Sequence, residues 1–177
     1  VGAGIIVDGK ILTGSNLAGA ELGHMVIEVD GPQCTCGRKG CFEVFSSATG
    51  LIRMTKEAAE ADSSSILNKY LAEDGKFSAR HAFMAMRDGD KAGTEVVEKY
   101  CKYLAAGITN TINIFQPDTL AIGGGVSNES DELLLPVKEL VKKEVYTRML
   151  SQNTEIVIAK LGNDAGIIGA AFLGLES

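Results

Sequence analysis

The sequence predicts an α/β fold with a mixed sheet, and three observations carry that prediction. Short apolar or β-branched runs near the start are closed by Asp8-Gly9 and Gly31-Pro32, both strong turn pairs. One long run, Thr94 to Phe115, repeats apolar residues at helical spacing. Beyond Pro117, strand-like and helix-like segments alternate, and strands followed by such alternation are the order of an α/β domain.

Taken in order, Val1 to Leu12 reads as two short strands about the turn Val7-Asp8-Gly9-Lys10, because Asp-Gly between apolar runs favours a hairpin. Thr13 to Gly19 is a loop of small and polar residues. His24 to Val29, with Val26, Ile27 and Val29 β-branched, is expected to be a strand that stops at Gly31-Pro32. A cysteine-rich loop follows, then a helix capped by Ser46 or Ser47 and running through Leu51, Ile52 and Met54 to about Ala61. Asp62 to Ser65 is a polar linker, and Ile66 to Asp90 reads as short helices with a turn at Asp74-Gly75. In the long helix Val97, Cys101, Leu104, Ile108 and Ile112 form one face, and Pro117 ends it. Thr119 to Ile122 is a buried strand leading into Gly123-Gly124-Gly125. A helix over Glu132 to Tyr146, a strand over Glu155 to Ala159 and an apolar helix from Ala165 to about Leu175 complete the chain.

With 177 residues, 45% hydrophobic and 23% charged, there is room for one globular domain with a substantial core. The net charge of −6 argues against a surface built to hold nucleic-acid phosphates. No apolar run approaches the roughly 20 residues that a membrane helix needs. The opening residues lack the basic start of a signal peptide. With no initiator Met before that apolar opening, Val1 is expected to lie inside a longer, cytoplasmic protein.

Three of the four cysteines, Cys34, Cys36 and Cys41, crowd into one short loop. Such crowding without secretory context points to metal before disulfide. His24 completes a set of one imidazole and three thiolates, a full tetrahedral shell for Zn²⁺ with no position left for water, hence a structural site. Gly37 and Gly40 allow the tight turns needed to aim the sulfurs at one point. The alternative is three free buried cysteines and an unrelated histidine. Cys101 belongs to the apolar face of its helix, His81 is expected to be a surface or half-buried helical residue, and Arg38 and Lys39 exposed loop charges.

The run Gly19-Ala20-Glu21-Leu22-Gly23-His24, followed by Cys34-Thr35-Cys36-Gly37-Arg38-Lys39-Gly40-Cys41-Phe42-Glu43, resembles the signature of the repressor/open-reading-frame/kinase (ROK) family. The resemblance continues through Ser47-Ala48-Thr49-Gly50, Ala121 to Val126 and the closing segment Gly162 to Gly174. Two departures stand out: Ala20 replaces a common Gly, and the glycine-rich phosphate hairpin is cut to Val1-Gly2-Ala3-Gly4.

The resemblance implies the C-terminal lobe, residues 1–177, of an actin-like, ribonuclease-H-like sugar kinase. Its sugar would lie in a cleft, with Glu21, His24 and Glu43 on the hydroxyls. By composition alone, Glu21 reads equally as a solvated loop charge and Glu43 as a carboxylate answering a helix dipole. The resemblance also implies ATP against Gly123, Gly124 and Gly125, with Gly2 and Gly4 near the phosphates, and Mg²⁺ offsetting phosphate charge. The glycine run by itself reads also as a plain turn. The catalytic aspartate would lie upstream of Val1, the hexose would most often be glucose, and the protein would be a homodimer. Two further readings are a sugar-sensing transcriptional repressor with a helix-turn-helix upstream, and a zinc-stabilised interaction module without a ligand.

Overall fold

Asp8 and Gly9 both take positive φ, 51° and 73°. That pair matches the right-handed twist of a hairpin, and it folds β1 (Ile6–Val7) back on β2 (Lys10–Ile11) with Ile6 opposite Ile11. The structure, a computed structural model, describes residues 1–172.

The expected strand over His24 to Val29 does not form. Leu22–His24 is a 3₁₀ turn, and beyond it only Val26 makes a bridge, to Cys41. The Ile27 and Glu28 amides both donate to the Gly40 carbonyl, and the Phe42 amide donates to Met25. The β-branched residues therefore lie against a loop that offers two or three residues of pairing before a helix starts. Strand propensity without a partner of matching length yields an extended turn.

The helices follow the caps. A short α1 (Phe42–Ser46) was not foreseen; α2 (Ala48–Ala61) begins where the Ser47 hydroxyl accepts the Gly50 amide at 3.0 Å. α3 (Leu67–Asp74) ends on Gly75 in the left-handed region, and α4 is His81–Arg87. The central helix α5 (Lys91–Phe115) starts before Thr94, because Asp90 is its cap and accepts the Gly93 amide at 2.7 Å. Its expected face is buried throughout, Cys101 included, and packs against α1, α2, α4 and α6 (Asp131–Glu144).

β3 (Thr119–Ile122) and β4 (Glu155–Ile158) pair in parallel, Thr119 opposite Glu155, with α6 as the crossover that parallel strands require. The expected single mixed sheet is replaced, among the described residues, by two separate two-stranded sheets, one antiparallel and one parallel. The hairpin strands are two residues each and bond only to one another, so nothing joins them to β3. β3 is not buried either: Thr119 and Ala121 are exposed while Leu120 and Ile122 are half-covered, because the core covers one face.

α7 is Ala165–Phe172; its expected continuation to Leu175, and Gly174 of the closing segment, lie outside the described residues. His81, expected at or near the surface, is only 3% exposed. Its ring stacks near Tyr70 and accepts the Ser78 amide on Nδ1, while Nε2 faces Asp74 at 2.9 Å.

Candidate functional site

The cysteine loop is shaped by its glycines. Gly37 and Gly40 have φ of 90° and 68°, and a Cβ on Gly40 would stand 1.6 Å from the Glu28 carbonyl oxygen. No side chain fits there. Within the loop the Cys34 amide donates to Arg38 at 2.8 Å and the Gly37 amide to Cys34 at 3.1 Å. Arg38 is exposed as expected, yet its guanidinium also donates to the His24 carbonyl at 3.1 Å and ties the loop to the 3₁₀ turn. Lys39 is simply exposed.

These turns bring His24, Cys34, Cys36 and Cys41 together, with one donor atom of each inside 4.8 Å of all the others. Cys36 Sγ and Cys41 Sγ are 3.7 Å apart, as are Cys34 Sγ and His24 Nδ1. Tetrahedral zinc with bonds of about 2.3 Å to sulfur and about 2.0 Å to nitrogen needs roughly 3.8 Å between sulfurs and roughly 3.5 Å from sulfur to nitrogen. The donor set fits that ion in type and number, and its two closest pairs fit in spacing. All three thiols are free. Hydrogen bonding, first from the Cys36 backbone, draws the Cys34 thiol down to about 7. Burial and the neighbouring sulfurs push Cys41 up to about 11. Crowded thiols ionise together only against a cation, and a dication at their centre supplies one.

His24 turns Nδ1 toward Cys34, which leaves Nε2 for another partner. Glu21 opens the same 3₁₀ turn, its carbonyl accepting the His24 amide at 3.0 Å, and its side chain is exposed and caps nothing. Glu43 lies in the first turn of α1, two residues after Cys41, half-buried and paired with the Val1 amino group. Gly23 lets the Val1 carbonyl pass where a Cβ would meet it at 2.1 Å. The start of the chain, the 3₁₀ turn and α1 therefore meet at one place.

From there a cavity of about 680 Å³ extends to the glycines after β3. Leu22 and Phe42 line it together with Gly123, Gly124 and Gly125 and with Gly2 and Gly4, whereas Glu21, His24 and Glu43 are not among its described lining residues. Gly124 has φ of 94°, a conformation that side chains resist. Ser46, Ala48, Tyr100 and Thr111 also line the space. Sequence reasoning gave them no site role, although Ser46 was a candidate cap and Ala48 lies in the resembling run Ser47 to Gly50, since each sits on or beside a helix whose spacing speaks only of packing. The Ser47 cap was the one available signal that a helix start lay there.

The ROK family model matches residues 1–177. A glucokinase of Thermotoga maritima is 37% identical over 171 residues, which is 97% of this chain and 54% of that protein. The crystal structure of a ROK family glucokinase from Streptomyces griseus, in complex with glucose and AMPPNP, superposes with a TM-score of 0.87 at 30% identity, over 97% of this chain and 56% of that one. A ROK family transcriptional regulator, a homologue of the E. coli MLC protein, superposes with a TM-score of 0.78 at 29% identity, over 98% of this chain and 43% of that one. The chain spans about half the length of the curated relatives it matches.

Proposed function

Because this chain belongs to the ROK family, we propose that it forms the C-terminal lobe of an ATP-dependent hexose kinase, with glucose as the hexose and glucose 6-phosphate as the product. One observation carries this reading: a single cavity of about 680 Å³ joins the neighbours of Glu21 and Glu43 to the glycines 123–125. That is the layout needed to hold a sugar hydroxyl and a phosphoryl donor against each other. The related Streptomyces griseus enzyme, with glucose and AMPPNP bound together, supports it.

In this reading Glu21 and Glu43 accept hydrogen bonds from vicinal hydroxyls, and charge-assisted bonds are the stronger kind. His24 meets the sugar through Nε2. Gly123, Gly124 and Gly125 let backbone approach the adenosine side of ATP, and Gly2 and Gly4 approach its phosphates. Bound Mg²⁺ would offset phosphate charge. His24, Cys34, Cys36 and Cys41 would hold zinc, whose closed shell supplies rigidity and no open coordination position. The loop then braces His24 and, through Cys41, the start of α1 that carries Glu43. The catalytic base comes from the upstream half. A cytoplasmic homodimer belongs to the same reading; among the described residues no helix is long and apolar enough to cross a membrane.

The test is a coupled assay on the protein carrying this chain together with its upstream half. ATP- and glucose-dependent formation of glucose 6-phosphate is expected, and absence of turnover with every hexose tried overturns the assignment. The second reading, a sugar-sensing repressor, is favoured by the superposition of a ROK regulator over nearly the whole chain. No phosphoryl transfer together with sugar-dependent DNA binding would establish it instead.

A further inference from the structure

Gly123, Gly124 and Gly125 follow a strand that β4 anchors up to Ile122, and beyond it the side-chain space is nearly empty. A Cβ on Gly124 or Gly125 would meet nothing within 4 Å, and one on Gly123 would meet only Ala159, at 3.5 Å. Their position depends on the 3₁₀ turn that follows, Gly125–Glu129. That turn is closed from within: the Ser127 amide and hydroxyl both donate to the Gly124 carbonyl, at 3.0 and 2.7 Å. It ends on Ser130, a non-glycine residue at φ 51°, a conformation that costs free energy unless its surroundings impose it.

The turn packs Val126 on the core and lies against α6, and its charged tie comes from α4. Arg87 Nη1 donates to Glu129 at 2.9 Å and to Glu132, in the first turn of α6, at 2.5 Å. Exposed ion pairs contribute little. The Glu129 side chain, however, is only 9% exposed. With Glu129 largely covered and Arg87 open to water, removing the cation costs more than for a fully exposed pair and less than for a buried one. Without Arg87, Glu129 and Glu132 would also face each other as like charges, and the turn would relax by swinging Glu129 outward.

We infer that Arg87 is a positioning residue for the nucleotide end of the cleft: by pairing with Glu129 and Glu132 it fixes the turn that presents Gly123, Gly124 and Gly125. The inference rests on the assignment of those glycines to ATP. It gives a role to α4, part of the segment whose sequence said least about function.

The experiment uses the protein with its upstream half and compares wild type, Arg87→Gln, Arg87→Lys and Glu129→Gln. AMPPNP and glucose affinities are measured by calorimetry, and hydrogen exchange of the Ser127 and Ser130 amides is followed without ligand. Arg87→Gln is expected to weaken AMPPNP binding by roughly tenfold, the scale of re-ordering one or two groups on binding. Glucose affinity should stay within about twofold, and both amides should exchange faster. Glu129→Gln should act in the same direction. Arg87→Lys keeps the charge and should fall between wild type and Arg87→Gln, and it carries the test if Arg87→Gln does not fold. Unchanged AMPPNP affinity and exchange in these variants, or equal weakening of both ligands, overturns the inference while leaving the nucleotide assignment standing. Wild type that binds glucose but no AMPPNP overturns the nucleotide assignment and the inference with it.

Discussion

Glu43 and Gly107 show how much of this site hangs on single atoms. Glu43 stands two residues from Cys41, yet its carboxylate is not one of the clustered donors, and the proposed reading gives it to the sugar. Glu43→Gln keeps the volume and removes the charge. Zinc content and melting temperature should stay near wild type. Hexose affinity should fall by roughly 1.5–3 kcal/mol, the contribution of a hydrogen bond to a charged group, or about tenfold to a hundredfold. Zinc loss, or unchanged hexose affinity, would contradict this separation of roles. Gly107 acts from the opposite side. A Cβ there would come within 2.2 Å of the Phe42 ring, which is 5% exposed and has no room to retreat. Replacing glycine by alanine favours a helix interior by about 1 kcal/mol. Forcing a buried ring aside costs about 1–3 kcal/mol, and a contact this short belongs at the upper end. Gly107→Ala should therefore lower the melting temperature by a few degrees. It should also weaken hexose binding, because Phe42 precedes Glu43. A melting temperature above wild type would mean that Phe42 moves freely.

Among the elements, the cysteine loop is the one that the proposed reading ties to a bound ion. Its segment from Cys34 to Cys41 has no apolar side chain of its own other than the sulfur residues, so burial alone does not define it. Metal binding contributes folding free energy directly. Cys36→Ser removes one thiolate and should lower zinc content, melting temperature and hexose affinity together, unlike Glu43→Gln. Elemental analysis, calorimetric melting and sugar titration of the two variants side by side check the contrast; Cys36→Ser with full zinc and wild-type melting would refute it. The four candidate ligands were legible because their residue types are rare and their spacing is short. α2 and α5 were legible because long helices repeat their apolar period several times over. α1 was not, since its five residues are too few to show a period. The strand expected over His24 to Val29 failed for a related reason: β-branching records what the backbone tolerates, and the partner, here the Gly40–Cys41 return, decides the outcome. Likewise Asp90 reads as the end of a polar stretch until the Gly93 amide is seen on its carboxylate.

At the scale of the whole molecule, the cavity lined by Leu22, Phe42 and the glycines 123–125 has a chemical composition that bears on the proposed catalysis. Its described lining is glycine, serine, threonine, proline and apolar or aromatic side chains, with no aspartate, glutamate or histidine among them. Backbone and hydroxyls can position phosphate and sugar there. Taking a proton from the attacking hydroxyl requires a base within hydrogen-bond reach, and such a base contributes typically about 10²–10⁴-fold. Ile6 and Leu17 near the start of the chain and Ile167 and Phe172 in α7 are also 73%, 83%, 74% and 62% exposed. The relatives are about twice as long as the region they share with this chain. The chain alone should therefore bind zinc and yet phosphorylate hexose at least about a hundredfold more slowly than the same chain joined to its upstream half. A coupled assay of both forms at equal zinc content measures the ratio. Equal turnover would place a base on this chain after all, and Glu21 and Glu43, next in sequence to the lining residues Leu22 and Phe42, would be the first to test for it.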